Sequence, residues 1–142
     1  MSDDFVPPDA DIEALLRRAK AVAVVGLSDN PARPSYDVAE YLQRAGYRIV
    51  PVNPMLKEWR GIPAFPDLTS AKAAGVPFDF VDVFRRPEDV GPVVDEAVRV
   101  GAKAIWFQLG VINEDAARTA KAAGLTVVMD RCSKIEHRRL IR

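Results

Sequence analysis

Cysteine is almost absent from this chain: Cys132 stands alone, which rules out an intramolecular disulfide and a multi-cysteine metal cage and fits a reducing, cytoplasmic setting. Long apolar runs are absent too, and none reaches bilayer-spanning length. The start, Met1-Ser2-Asp3-Asp4-Phe5-Val6-Pro7-Pro8, is acidic and proline-bearing, unlike a secretory signal, so no membrane association is expected. An excess of either charge is also lacking, with 20 basic and 20 acidic residues. No global field recruits nucleic acid or an anionic surface, and any anion site must be local. The phosphate-loop fingerprint G-x-G-x-x-G is missing as well, because Gly26 alone stands where three glycines are expected.

What is present is a rhythm of five short apolar runs, each followed by a polar turn, over 142 residues, enough for one domain with a sizeable core. Asp9 or Asp11 is placed to cap a first helix through about Lys20, with Ile12, Leu15, Leu16 and Ala19 at helical spacing. The run 21–25 predicts strand one, and Ser35 is placed to cap a second helix that ends at Gly46. Tyr47 to Val52 predicts strand two, stopped by Asn53-Pro54, with Pro51 near its end. Residues 55–66 read as irregular and 67–74 as a short helix. Phe78 to Phe84 alternates more than the other runs, which predicts a third strand at a sheet edge with one face partly polar. Pro87 opens a helix in which Val90, Val93, Val94, Ala97 and Val98 face inward, closed by Gly101. Ala104 to Phe107 is strand four, Asn113 caps a helix through Ala123, and Leu125 to Met129 is strand five. The chain divides into an N-terminal segment and helix (1–20), a core (21–137) and a basic tail (138–142).

Alternating strands and helices with right-handed crossovers force a parallel sheet covered on both faces, a doubly wound α/β domain. Ligands of such sheets bind outside the carboxyl ends of the strands. On that face strand one runs into a Gly turn and a helix N-terminus, a backbone setting that suits phosphate. Arg33, Lys57, Arg60, Arg85, Arg86, Arg131 and Lys134 gather there. A dinucleotide such as NAD carries two phosphate charges, whereas coenzyme A adds a 3′-phosphate that rewards further cations. An NAD site also places Asp or Glu at the end of strand two to accept ribose hydroxyls, where this chain has Asn53 and Pro54. Asn53-Pro54 is equally a turn initiator, and spacing alone does not separate the two roles.

Six motifs then stand in order: Val25-Gly26-Leu27-Ser28 with Arg33-Pro34-Ser35, Pro51-Val52-Asn53-Pro54, Asp82-Val83-Phe84-Arg85, Trp106-Phe107-Gln108-Leu109-Gly110, and Val128-Met129-Asp130-Arg131-Cys132. This arrangement resembles the small bacterial CoA-binding domain proteins from about Ala21 to His137, which are similar in fold to the CoA-binding domain of the succinyl-CoA synthetase α subunit. The resemblance implies a Rossmann-like five-stranded parallel sheet with helices on both faces, binding CoA or acyl-CoA. It implies that Gly26, Ser28, Arg33 and Ser35, with Leu27 and Pro34 between them, hold phosphates. Asn53, Pro54 and Arg85, flanked by Phe84 and Arg86, are expected to border the nucleoside, and Gln108 and Gly110 the pantetheine path. The ligases among these relatives carry a phosphorylated histidine in a second domain, for which this chain leaves no room; His137 sits in a basic stretch that reads as a solvated helix end.

Other residues invite an enzyme reading. Cys132 follows strand five on the ligand face, where a thiol can exchange with a disulfide or attack a thioester, but no histidine base lies beside it in sequence and buried packing is the plainer role. Asp79 and Asp82, three apart, point to opposite faces of a strand and make a poor acid–base pair. Trp106 and Phe107 read as core, and Tyr36 is placed to touch ligand. The expectation is a CoA-binding module without catalytic residues or metal. An NAD(P)-binding oxidoreductase or redox-sensing domain, and a CoA-dependent acyltransferase or synthetase subunit acting with a partner protein, are the alternatives.

Overall fold

The chain forms, in order, α1 (Asp9–Arg18), β1 (Ala21–Val25), α2 (Pro34–Arg44), β2 (Arg48–Val52), β3 (Glu58–Trp59), β4 (Ile62–Pro63), α3 (Leu68–Ala73), β5 (Phe80–Val83), α4 (Val90–Arg99), β6 (Ala104–Phe107), α5 (Glu114–Ala122), β7 (Thr126–Met129) and α6 (Ser133–Leu140). This computed structural model describes residues 5–142, so the acidic start, Met1 to Asp4, lies outside it. Five strands pair in parallel in the order β2-β1-β5-β6-β7. Winding reverses between β1 and β5, which puts the topological switch point beside the turn after β1.

Period-two alternation sorts the strand residues between two cores. Ala23, Val25, Val81, Val83, Ile105 and Phe107 pack with α3, α4 and α5 on one face. Val22, Val24, Phe80, Trp106 and Val128 pack with α1 and α2 on the other. The fold is therefore a Rossmann-like α/β sheet covered on both sides. Pro51 is tolerated because β2 is the edge strand, whose outer side carries only a single parallel bridge from Val52 to Phe65.

Several sequence expectations need correction. The third predicted strand, β5, is central rather than marginal and is buried along its whole length. Its alternation arises because Asp82 is a buried polar group, not a solvent-facing one. The first helix is preceded by Pro8 without a side-chain cap, Asp9 being its first residue, and it ends at Arg18. Val98 is 37% exposed rather than inward. Residues 55–66 hold the β3–β4 hairpin, which buries Trp59 against Tyr36. The basic tail belongs largely to α6, which buries Ser133 and Glu136; Arg139 of this helix pairs with Glu136 and with Asp9 of α1. Asn113 caps α5 as expected, its Oδ1 accepting the Ala116 amide at 3.0 Å.

Candidate functional site

The turn after β1 is shaped by close packing. Gly26 has φ +85°, and a Cβ there would lie 2.1 Å from the Phe84 carbonyl oxygen at the end of β5. Its N–H donates to Val52 O at 2.8 Å, which ties the turn to β2 as well. Leu27 is fully buried, so it offers a ligand no side chain; its carbonyl accepts Asn53 Nδ2 at 2.9 Å. Beyond it, Ser28 Oγ accepts the Asn30 amide at 3.0 Å and Asn30 Oδ1 accepts the Ala32 amide at 3.0 Å, so side chains stand in for missing backbone bonds along the loop.

Arg33, not Ser35, is the residue that precedes α2, and Pro34 is the first helical residue, where a missing N–H costs nothing. Ser35 instead turns its Oγ toward Ser28 and accepts that amide at 3.0 Å. The expected cap is thus a loop clip. Pro34 has no N–H and the Tyr36 and Asp37 amides donate to Arg33 O at 3.1 and 3.2 Å, so of the first amides of α2 the Ser35 N–H is the one left, at the positive dipole end beside Arg33.

That space is a cleft of about 490 Å³ lined by Gly26, Ser28, Arg33, Pro34, Ser35 and Val38 on the β1–α2 side and by Phe84, Gln108, Leu109, Val111, Cys132 and Ile135 on the other. Seven predicted site residues meet here: Gly26, Ser28, Arg33, Pro34, Ser35, Phe84 and Gln108. Pro54 and Arg85 line a separate depression of about 310 Å³ with Pro66, Asp67 and Arg99. Asn53 is committed to the backbone, bonding Leu27 O and the Met55 amide. Arg86 bonds Asp89 at 2.9 Å in its own turn. The Gly110 amide donates to Asp130 Oδ1 at 2.8 Å, beside the cleft rather than in its lining.

Sequence reasoning missed the floor of this cleft. Asp82 is fully buried and accepts hydrogen bonds from Gln108 Nε2 and, at 2.7 Å, from Ser133 Oγ. Gln108 Nε2 also donates to Ser133 Oγ at 2.8 Å. Burial pushes the Asp82 carboxyl up to about 7, against the downward pull of these two donors. The spacing of Asp82 from Asp79 gave no hint of it, since the partners lie 26 and 51 residues away. Asp79 belongs to the other end of the sheet, where its Oδ2 accepts the Lys20 and Ala21 amides.

The predicted cluster of cations also separates. Arg60 is held by Glu40 and Gln43, Lys134 by Asp37, and Arg131 bonds the Asp130 carbonyl. Arg33, Lys57 and Arg85 make no ion pair or side-chain hydrogen bond among the described residues. Of these only Arg33 lines the cleft. Among the described residues no group of three His, Cys, Asp or Glu is disposed to hold a metal, and no helix is long and apolar enough to cross a membrane. Tyr36 packs edge-on against Trp59 at 5.2 Å and is not a lining residue. His137 bonds Tyr41 OH at 2.8 Å and lines a different depression, under α1.

Residues 20–138 match the family model of the CoA binding domain. The chain belongs to that family. The match covers nearly the span, Ala21 to His137, over which the motifs resemble it. The chain is similar to YneT of Bacillus subtilis, 44% identical over 131 residues, covering 92% of this chain and 95% of the relative. A Pyrococcus horikoshii structure is similar at 36% identity and TM-score 0.89, covering 96% of this chain and 94% of that one. A Thermus thermophilus structure matches at 36% identity and TM-score 0.89, covering 95% of this chain and all of that one, 100%.

Proposed function

We propose that this CoA-binding domain takes up coenzyme A or an acyl-CoA in the cleft at the switch point, as a binding module with no catalytic residues of its own. The reading is carried by one coincidence. The family match spans the whole sheet, and the cleft at its switch point holds an unpaired cation, Arg33, beside the N-terminus of α2. A pyrophosphate there meets Arg33, the Ser28 and Ser35 hydroxyls and the Ser35 amide at the positive end of α2. The arm of the ligand then runs across Phe84 toward Gln108. The nucleoside lies toward Pro54 and Arg85, where the unpaired Arg85 is available to the ribose 3′-phosphate. Cys132 faces the same cleft without a histidine against it, the only histidine being engaged by Tyr41, and we assign it no reaction.

Calorimetric titration of the ligand-stripped protein with CoA, dephospho-CoA, NAD and NADP tests this reading. Micromolar CoA binding that weakens without the 3′-phosphate is the expected result. Preference for NAD or NADP would overturn it in favour of a redox domain.

A further inference from the structure

The lining of the cleft changes character along the sheet. Its β1–α2 side carries the turn, the hydroxyls and Arg33. Its far side, formed by the segments after β6 and β7, carries Leu109, Val111, Cys132 and Ile135. The sheet order places β5 and β6 between β1 and β7. Three strand spacings of about 4.8 Å then set the two ends about 14 Å apart.

Two observations mark the far end as more than ordinary surface. Leu109 is 64% exposed and Ile135 47% exposed, yet both line the same concavity and come from different elements. Water is left against two large aliphatic side chains that a ligand's apolar group would cover. Between the ends, Gln108 is only 4% exposed, and both of its recorded side-chain bonds use Nε2. The one buried side-chain polar atom without a partner among the described residues is Trp59 Nε1. Gln108 Oε1 is therefore unpaired but not sealed in the core, and the cleft that this residue lines is where it opens. With Nε2 turned to Asp82 Oδ1 and Ser133 Oγ, Oε1 is the amide atom left toward the cleft. The result is a sequence of anion site, hydrogen-bond acceptor and apolar end in one groove.

We propose that the apolar end at Leu109, Val111 and Ile135 receives the acyl group of a thioester, so that the preferred ligand is a short, uncharged aliphatic acyl-CoA rather than free CoA. This rests on the CoA reading above. It also names what the end rejects. Arg33 is the only charged residue in the lining and sits at the opposite side. Nearby Lys134 is held by Asp37 at 2.9 Å and Arg131 bonds the Asp130 carbonyl at 2.7 Å. A carboxylate at the end of the acyl group finds no free cation there and pays its desolvation uncompensated.

The test is a titration series of CoA, acetyl-CoA, butyryl-CoA, hexanoyl-CoA and succinyl-CoA, below micelle-forming concentrations. From acetyl to hexanoyl the affinity should rise up to about fourfold per methylene, while succinyl-CoA binds no tighter than CoA. Leu109→Asp and Ile135→Asp should flatten the series, and Val98→Asp, an exposed apolar position on α4, should leave its slope intact. Tight CoA binding with a flat series overturns this inference and leaves the CoA reading standing; loss of all CoA-type binding overturns both. A flat series together with a dimer that Leu109→Asp dissociates would assign the rim to a second copy of the chain, and also overturns it.

Discussion

The two ends of the parallel sheet are finished in opposite ways. At the end where the strands begin, polar groups are consumed by the protein itself: Asp79 Oδ2 accepts the amides of Lys20 and Ala21, and Lys72 Nζ donates to the Val100 carbonyl. At the end where they finish, Arg33 and Arg85 have no partner among the described residues, Gln108 Oε1 is open, and Leu109 and Ile135 face water. Two aspartates on one short stretch show the contrast. Asp79 clips the start of β1, whereas Asp82, three residues on, is buried under the cleft and holds Gln108 and Ser133. The lesson is that stability is spent evenly while binding capacity is left at one end, as expected of a sheet whose ligand site lies beyond its carboxyl edge.

The comparison claims that the open end is open in its side chains but closed in its backbone. Its hardest test is Gly26→Ala, which combines a positive φ with contact against the Phe84 carbonyl, and should cost about 4 kcal/mol or more. Gly101→Ala, at the other end, meets only Lys72 Nζ at 3.6 Å and carries just the strain of φ +80°, about 1 kcal/mol. Urea midpoints for the two variants that came out equal would break the comparison.

The second test concerns Asp82. The folded protein holds this proton up to about pH 7, whereas an unfolded aspartate releases it near 3.9. The stabilisation is therefore complete below about pH 4 and is lost as pH rises through 7, by on the order of 3–4 kcal/mol. Denaturation midpoints between pH 4.5 and 8 should decline for the native protein relative to Asp82→Asn, and parallel curves would refute the buried network.

The smallest effect sharpens the open end most. Arg33→Ala should weaken CoA by about 1.5–3 kcal/mol, the range of a charge-assisted bond, with an unchanged thermal midpoint because no protein partner is lost. Arg60→Ala, whose guanidinium Glu40 already holds at 2.8 Å, should leave CoA affinity within about twofold, since it makes no contact in the cleft. Equal losses in the two variants would mean that long-range charge, not the cleft, recruits the ligand.

Much of this architecture was legible in the residues. Apolar runs ending in polar turns marked β1, β6 and β7 nearly to the residue, and Asn113 announced α5, because these signals act within a few positions of one another. What escaped was set by partners far along the chain. Asp82 broke the apolar pattern of a central strand and so imitated an edge, and only the arrival of Gln108 and Ser133 makes its burial tolerable. Ser35 has a cap-former's side chain in nearly the right place, but Pro34 moves the helix start back and frees the hydroxyl for Ser28. The cations after the strands were expected to gather on one face, yet composition does not reveal that Glu40, Asp37 and Asp89 engage Arg60, Lys134 and Arg86.

The placement of Ser133 and Ile135 on α6 also bears on how the molecule comes into being. The last strand of the sheet ends at Met129, and Ser133 and Ile135 come after it, so all five strands can pair before α6 docks. Until that helix docks, Asp82 has Gln108 but lacks its second donor, Ser133, and the far wall of the cleft lacks Ile135. Docking of α6 is thus the folding step that completes the cleft, and the sheet without it presents only the β1–α2 side and part of the far wall.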